Sequence, residues 1–307
     1  MHLEERIIAV GPDTDTPCLS VLTPFHRHDP TTLLKRLGRA PDGVEFILID
    51  DGTRSASLLA DVISAAERLA ASVRIIIWDQ NRGRAAARNR LIAEARGRYV
   101  LFLDADMIPD SPRFLSNWLG ILTTQRPLVA FGGLSLANAA WTRDTALHYN
   151  VFGKSDCRAA RQRARAPAQS VASANLAIRR DFLARHPFDA QFTGWGFEDT
   201  DWALRAARHA PILHVENPAS HAGLDDVSSL LRKSEEAGPN FARLARKHPN
   251  AVRRFAAYRA AKTLKLAPAL RGVFAHLARD PAQVTPMPVR RTALKLYRAS
   301  CFAEHLA

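Results

Sequence analysis

Asp104 and Asp106, separated by Ala105, close the apolar run Tyr99-Val100-Leu101-Phe102-Leu103. Farther along, Glu198 and Asp199 follow Gly194-Trp195-Gly196-Phe197 and precede Thr200-Asp201. Two carboxylates flanking a small residue at a strand's carboxyl end can hold a hard divalent cation. Mg2+ and Mn2+ take one or two carboxylates and leave places for substrate phosphate. An acid pair at a helix start is kept ionised by the helix dipole and can orient a hydroxyl and accept its proton. The first chemistry suits a leaving group and the second a nucleophile. Together they describe transfer of an activated group, such as a sugar on a nucleotide diphosphate. Asp106 is the expected direct metal ligand, since a metal there neutralises a diphosphate as the sugar bond breaks. Both signatures also have plain readings: Asp-X-Asp is common in solvated loops, and acids at 198–201 can simply cap a helix.

These residues need elements to hold them. Leu19–Thr23, Glu45–Ile49, Val73–Trp78 and Tyr99–Leu103 read as short buried strands, the first closed by Pro24. Helices are expected from Pro30, near 55–71 and over 84–96. Strands alternating with helices imply an α/β fold with a mostly parallel sheet covered on both faces. Ligands bind beyond the carboxyl ends of such strands, where Asp51, Asn81 and Asp104 converge. Further strands are expected near 173–178 and 212–215, and a helix over 198–207. Residues 1–17 read as an irregular arm and 153–170 as a mobile, Arg-rich loop. From 226 the pattern is helical and basic, with breaks at Pro239, Pro249 and 281–288.

The net charge of +13 favours anionic partners, and 47% hydrophobic residues support a real core. Arginine is abundant throughout, so nucleic acid is not the expected partner. Cys18, Cys157 and Cys301 offer neither a disulfide framework nor a zinc site. The first ten residues lack a signal-peptide pattern, and no run has the ~18 uncharged apolar residues of a spanning helix. The expectation is a cytoplasmic protein, peripheral at the inner face of a membrane if it meets one. The stretch from Leu264 to Ala278 sets Leu266, Leu270, Val273, Phe274 and Leu277 among Lys265 and Arg271, so it suits either core packing or an acidic membrane surface.

Four pieces occur in one order: Ser20-Val21-Leu22-Thr23-Pro24-Phe25-His26-Arg27, Phe46-Ile47-Leu48-Ile49-Asp50-Asp51-Gly52-Thr53, Asn81-Arg82-Gly83-Arg84-Ala85-Ala86-Ala87-Arg88-Asn89 and Phe102-Leu103-Asp104-Ala105-Asp106. This set resembles the nucleotide-binding half of family 2 glycosyltransferases, which have the GT-A fold. The resemblance implies that Pro24 and Phe25 line the nucleobase pocket, Asp51 bonds the base, Arg88 lies near the nucleotide and Asp104 near its ribose. Arg27, Asn81, Gly83 and Ala105 fall in the matched pieces and count with the donor-binding residues. The segment Gly194–Asp201 resembles the Gly-Trp-Gly-X-Glu-Asp segment of β-1,4-galactosyltransferases and chondroitin-type polymerases. That likeness puts Asp199 at the catalytic base, with Glu198, Trp195 and Gly196 on the acceptor. It also makes His221, after strand 212–215, a further metal ligand, with His214 as its competitor. Imidazole favours Mn2+ over Mg2+.

The resemblance spans about 19–225: an arm over 1–18, a donor half over 19–130, an acceptor half over 131–225, and a basic helical extension over 226–307. It implies a metal-dependent, inverting transferase that takes a nucleotide-diphosphate sugar, UDP by family habit. The acceptor would be a saccharide, a lipid-linked sugar or another hydroxyl, as in polysaccharide or glycoconjugate synthesis. A nucleotidyltransferase would need a Gly-rich loop where Thr23-Pro24-Phe25-His26-Arg27 stands. An inactive scaffold with a basic surface for nucleic acid or acidic membrane is the non-enzyme alternative.

Overall fold

The computed structural model describes residues 5–13, 16–282 and 284–306. The chain divides into two compact units. The first comprises 1–139, 156–190 and 202–223, and the second 140–155, 191–201 and 224–307.

The first unit opens with β1 (Glu5–Val10), β2 (Leu19–Phe25), α1 (Thr31–Leu37), β3 (Val44–Asp51), α2 (Ala56–Glu67), β4 (Ser72–Trp78), α3 (Arg84–Glu94) and β5 (Tyr99–Leu103). It continues with β6 (Met107–Pro109), α4 (Phe114–Thr124), β7 (Val129–Phe131), β8 (Leu134–Ser135), α6 (Ala160–Arg163), β9 (Asn175–Arg179), α7 (Arg180–Arg185), β10 (Ile212–His214) and β11 (Ala219–His221). Among the described residues, eight strands form one sheet in the order β1-β4-β3-β2-β5-β9-β7-β10. The β4-β3-β2-β5 stretch is parallel, as is β7 with β10, whereas β1 and β9 run antiparallel to their neighbours. β2, β3 and β5 are almost wholly buried, which is why they read as continuous apolar runs.

A buried carboxylate ties the amino ends of these strands together. Glu45 accepts from Ser20 Oγ at 2.6 Å, Arg74 Nη2 at 2.8 Å, and the backbone N and Nε of Arg96 at 2.8 and 3.2 Å. One side chain thus joins β2, β3, β4 and the turn into β5. At the carboxyl ends a second, three-stranded sheet forms in the order β6-β11-β8. In it β11 runs antiparallel to β6, with His221 opposite Met107.

The second unit holds α5 (Ala146–Ser155), α9 (Val227–Lys247), α10 (Pro249–Val252), α11 (Ala256–Leu264), α12 (Leu270–Arg279) and α13 (Met287–Ala303). The helix α8 (Glu198–Ala206) has its first turn among that unit's residues. Phe197, Phe241 and Phe302 form its aromatic centre, with the Phe241 and Phe302 rings stacked at 4.2 Å.

Several expectations need correction. The arm read as irregular contains β1, whose apolar run Ile7-Ile8-Ala9-Val10 is short and stays largely exposed but which completes the sheet edge on β4; residues 1–4 and 14–15 of it lie outside the described residues. Pro24 does not close its strand, because the ladder from β2 to β5 stops at Leu22 and a missing N–H is tolerated beyond it. The loop expected to be mobile contains α6 and a 3-10 turn over 168–170. It is pinned by Arg163, 1% exposed, which donates to the carbonyls of Gly132, Val215 and Arg158. α9 runs through Pro239 without a break, since Ala237, Phe241 and Leu244 are buried on one side and packing outweighs one lost hydrogen bond.

Replacing Glu45 with Ala removes the common acceptor of Ser20, Arg74 and Arg96, while Arg74 keeps Glu94 and Arg96 keeps Asp13, and should cost about 1–3 kcal/mol. Urea denaturation of variant and parent at one pH measures it, and a loss below about 1 kcal/mol would contradict the role given to this carboxylate.

Candidate active site

The carboxyl ends of β2, β3, β4 and β5 carry the first constellation, and each side chain is aimed by backbone geometry. At the end of β3, Asp51 is 4% exposed, and its carboxylate accepts from the backbone N–H of Arg82 at 2.6 Å and of Gly83 at 3.0 Å. Burial raises its pKa, and these two amides pull it partly back. Asp51 therefore shapes the 80–83 loop by which the chain enters α3. Gly52, at φ 79°, allows that loop to approach, since a Cβ would lie 2.5 Å from Asn81 N. Asn81 Nδ2 donates to the Asp51 carbonyl at 3.4 Å, and the Arg82 guanidinium lies 4.2 Å from the centre of the Trp78 ring. Arg27, at φ 58°, donates its backbone N–H to Thr53 Oγ1 at 2.9 Å, which joins the loops after β2 and β3. Pro24 is half-buried and Phe25 buried at the end of β2.

Arg88 is not a surface charge. It is 1% exposed on α3, donates to Asp104 Oδ1 at 3.2 Å, and lies 5.7 Å from the Phe188 ring. Asp104 begins the turn that leads through buried Ala105 into β6, with Met107 N bonded to its carbonyl at 3.0 Å. Asp106 Oδ2 lies 3.3 Å from His221 Nε2. Burial by itself would raise the Asp106 carboxyl. The hydrogen bond and charge of His221, with His28 and Arg84, overturn that and bring it to about 2. Gly223 closes over this pair, because a Cβ there would stand 2.1 Å from Asp106 Oδ2. Ala222 N also donates to the Asp106 carbonyl at 2.9 Å. The β6–β11 ladder continues away from the pair, locked where Ser135 and Ser220 both donate to Asp110, at 2.5 and 2.6 Å.

The structure thus brings together Asp106 and His221, the two residues expected to ligate a metal. Adjacent ligands of an octahedral ion sit roughly 3 Å apart at metal–ligand distances of ~2.1 Å, so this separation fits two corners of a site. Among the described residues no group of three or more His, Cys, Asp and Glu side chains gathers as a metal cage. His214 is engaged elsewhere: it meets Phe131 edge-on and pairs with the Pro167 carbonyl at 3.2 Å.

The second constellation is built within the second unit. Gly194, Gly196 and Phe197 all have positive φ, at 72°, 91° and 71°, which forces a tight loop before α8. Asn240 on α9 fastens the loop, donating through Nδ2 to the carbonyls of Thr193, Gly196 and Trp195 at 2.8, 3.0 and 3.4 Å. Trp195 is half-exposed, and the Lys233 ammonium is 6.0 Å from its ring, so it is no core aromatic. Glu198 is buried and Asp199 half-exposed in the first turn of α8, where Thr200 N donates to Asp199 Oδ1 at 2.7 Å. Asp201 is fully buried between Lys247 Nζ at 2.7 Å and His248 Nε2 at 2.9 Å. Gly223 and Asn240 were given no role in the sequence, and Asp201 only a place in the acidic signature, because partners far along the chain give them meaning.

The family model described as Glycosyl transferase family 2 matches residues 20–186. A Bacillus subtilis (strain 168) glycosyltransferase, TuaG, named for teichuronic acid biosynthesis, is 32% identical over 97 residues. These are 29% of this chain and 36% of that protein. An uncharacterized glycosyltransferase of Haemophilus influenzae is 32% identical over 95 residues, again 36% of its length. The chain thus spans about a third of the curated relatives it matches. Among solved structures, the mannosyltransferase PcManGT of Pyrobaculum calidifontis, in complex with GDP-Man and Mn2+, superposes with a TM-score of 0.62 at 18% identity, covering 96% of this chain and 89% of that one. S. aureus TarS 1-349 does so with a TM-score of 0.51 at 14% identity, covering 91% of each chain. At such identities the likeness is one of fold, and that fold is the GT-A arrangement with C-terminal helices.

His214 yields a pH test. Burial and then the charge of Arg163 lower its pKa to about 4. Between pH 6.5 and 4 the unfolded chain therefore binds a proton that the folded chain refuses, so stability rises with pH across that window. The His214 contribution to acid destabilisation should be about 2 kcal/mol once partial exposure is allowed for. His214→Gln should flatten denaturation midpoints over this window; parallel curves for variant and parent would refute the assignment.

Proposed function

The chain belongs to glycosyl transferase family 2, and we propose on that premise that it moves a sugar from a nucleotide-diphosphate donor to a hydroxyl, with inversion and with a divalent metal. The observation that carries this reading is the approach of His221 Nε2 to Asp106 Oδ2 at 3.3 Å, directly after the Asp-X-Asp turn. Asp106 and His221 would hold the ion, Mn2+ before Mg2+ because one donor is an imidazole. When bound, the ion supplies positive charge against the leaving diphosphate.

The remaining roles belong to side chains. Asp51 orders the 80–83 loop and keeps lone pairs for the base, beside Pro24 and Phe25. Arg27, Asn81, Gly83 and Ala105 shape the same rim, and buried Arg88 holds Asp104 where a ribose hydroxyl is to be bonded. Asp199 takes the proton of the acceptor hydroxyl, while Glu198, Trp195 and Gly196 orient the acceptor. A base on the acceptor and a metal-bound leaving group imply a single displacement, hence inversion; retained anomeric configuration in an NMR time course would refute it. UDP is the expected nucleotide, as bound by TarS in a related structure. The GDP-Man complex of PcManGT favours a second reading, a GDP-sugar. The name of the Bacillus subtilis relative supports an acceptor in polysaccharide synthesis. The C-terminal helices, in this reading, contact an acidic membrane surface.

Thermal unfolding with UDP, GDP or CMP, with and without Mn2+, tests the donor site. One nucleotide should raise Tm only with Mn2+, and Asp106→Ala should abolish the shift; no shift with any nucleotide would overturn the metal-dependent reading. Asp199→Asn should lower kcat by about 10²–10⁴-fold at unchanged Tm and unchanged nucleotide shift. Turnover within threefold of the parent would remove Asp199 from the base role.

A further inference from the structure

The charge of this chain is unevenly placed. Residues 226–307 contain 16 Lys and Arg against 5 Asp and Glu, a net +11 of the whole chain's +13. Among the described residues, the large apolar side chains that stand in solvent are Ile7 and six in the second unit, including Leu266 at 88%, Leu270 at 42% and Val273 at 51% exposure. Leu270 and Val273 lie three residues apart on one face of α12, and Leu266 stands in the turn that leads into it. The stretch expected to be ambiguous is therefore divided: Leu264 is packed inward, whereas Leu266, Leu270 and Val273 are not.

The same unit holds a cleft formed by the end of α9, α10, the start of α11 and the residues after α13. Arg246, Arg253, Tyr258 and His305 line it, and Ala242 and Leu306 are among its apolar walls. His305 is seated against Gly238, where a Cβ would come within 2.4 Å of its ring, so a glycine inside a long helix makes room for this histidine. Neither Arg246 nor Arg253 meets a carboxylate among the described residues. Lys265 Nζ donates to the Leu306 carbonyl at 2.8 Å, which ties the cleft wall to the residue preceding Leu266.

We propose that this unit docks on an anionic phospholipid surface, a headgroup phosphate entering the cleft between Arg246 and Arg253 while Leu266, Leu270 and Val273 enter the bilayer interface. Guanidiniums without carboxylate partners match a phosphate in charge and geometry. Aliphatic side chains suit acyl chains, and Leu266, Leu270 and Val273 offer no aromatic face on which a base could stack. The inference gives a site to the membrane contact already proposed and rests on none of the transferase chemistry.

Co-sedimentation of the full chain tests it, with vesicles of phosphatidylcholine alone and with about one-third phosphatidylglycerol. Binding is expected to the anionic vesicles only. The pair Arg246→Gln/Arg253→Gln should weaken it about tenfold more than Arg259→Gln/Lys295→Gln, which removes the same charge outside the cleft. Leu266→Glu should abolish the part of the binding that survives high salt. Equal losses from both pairs would overturn the site and leave only diffuse attraction; no binding to anionic vesicles would overturn the membrane contact as well. Stabilisation by inorganic phosphate through the same two arginines, without vesicle binding, would assign the cleft to free phosphate. Tighter binding to duplex RNA than to vesicles would assign the surface to nucleic acid. The nucleotide-induced Tm shift should persist in every variant, which separates failure here from failure of the donor site.

Discussion

Asp106 is a half-buried carboxylate, and its charge is favoured by a donor or cation beside it. His221 is that partner, at 3.3 Å, from a position 115 residues later. Much of the first unit can be derived from the need to deliver it. β11 must return to β6, which requires the small sheet, and the sheet is locked at its far end by the Asp110, Ser135 and Ser220 side chains. The turn after β11 must then pass over the carboxylate, and only a residue without Cβ fits there, hence Gly223. The buried amide of Asn175 supports the return path, bonding the carbonyls of Gly133 and Asn217 at 2.8 and 2.9 Å and accepting from Trp118 Nε1 at 3.2 Å.

The two ends of the main sheet solve opposite problems. At the amino ends Glu45 is satisfied by Ser20, Arg74 and Arg96, so its charge is spent on holding strands together. At the carboxyl ends each acid has fewer partners and leaves lone pairs over. Asp51 is fixed by two amides, Asp104 by one arginine, and Asp106 by one imidazole. Acids of the same type in the same sheet thus differ in what their surroundings leave undone.

The sequence was most legible where the physics is local. Strand Tyr99–Leu103 was read to the residue, and the other parallel strands within a few positions, because a doubly buried strand is a bare apolar run. Asp106 could be picked from its place after that run. β6, β8 and β11 were missed since each is short and becomes a strand only through its partner, and β1 since its apolar run is brief and stays exposed at the sheet edge. Arg163 looked like one arginine of a charged loop; nothing local says that Gly133, with a would-be Cβ 2.4 Å from its guanidinium, leaves the space it fills. Pro239 misled for the same reason, as burial around Phe241 outweighs its cost to α9.

The acidic cluster at the start of α8 shows how structure separates readings that sequence leaves together. A bare row of acids there could serve only as a helix cap. Within the row, however, Asp201 has taken up the structural work: it is fully buried and is met by Lys247 and His248 from the end of α9. Glu198 is buried as well, while Asp199, between them, stays half-exposed on a loop whose three positive φ values and Asn240 clamp fix its direction. A helix that needed only favourable charge at its amino end would have no use for so closely held an entry, in which Phe197, a residue with a Cβ, is kept at φ 71°. Backbone strain of this kind persists where surrounding contacts over-determine it, and it gathers at sites that must present a group rather than bury it. The cost of the loop is understandable if Asp199 is the group being presented, which is the role the proposed chemistry gives it.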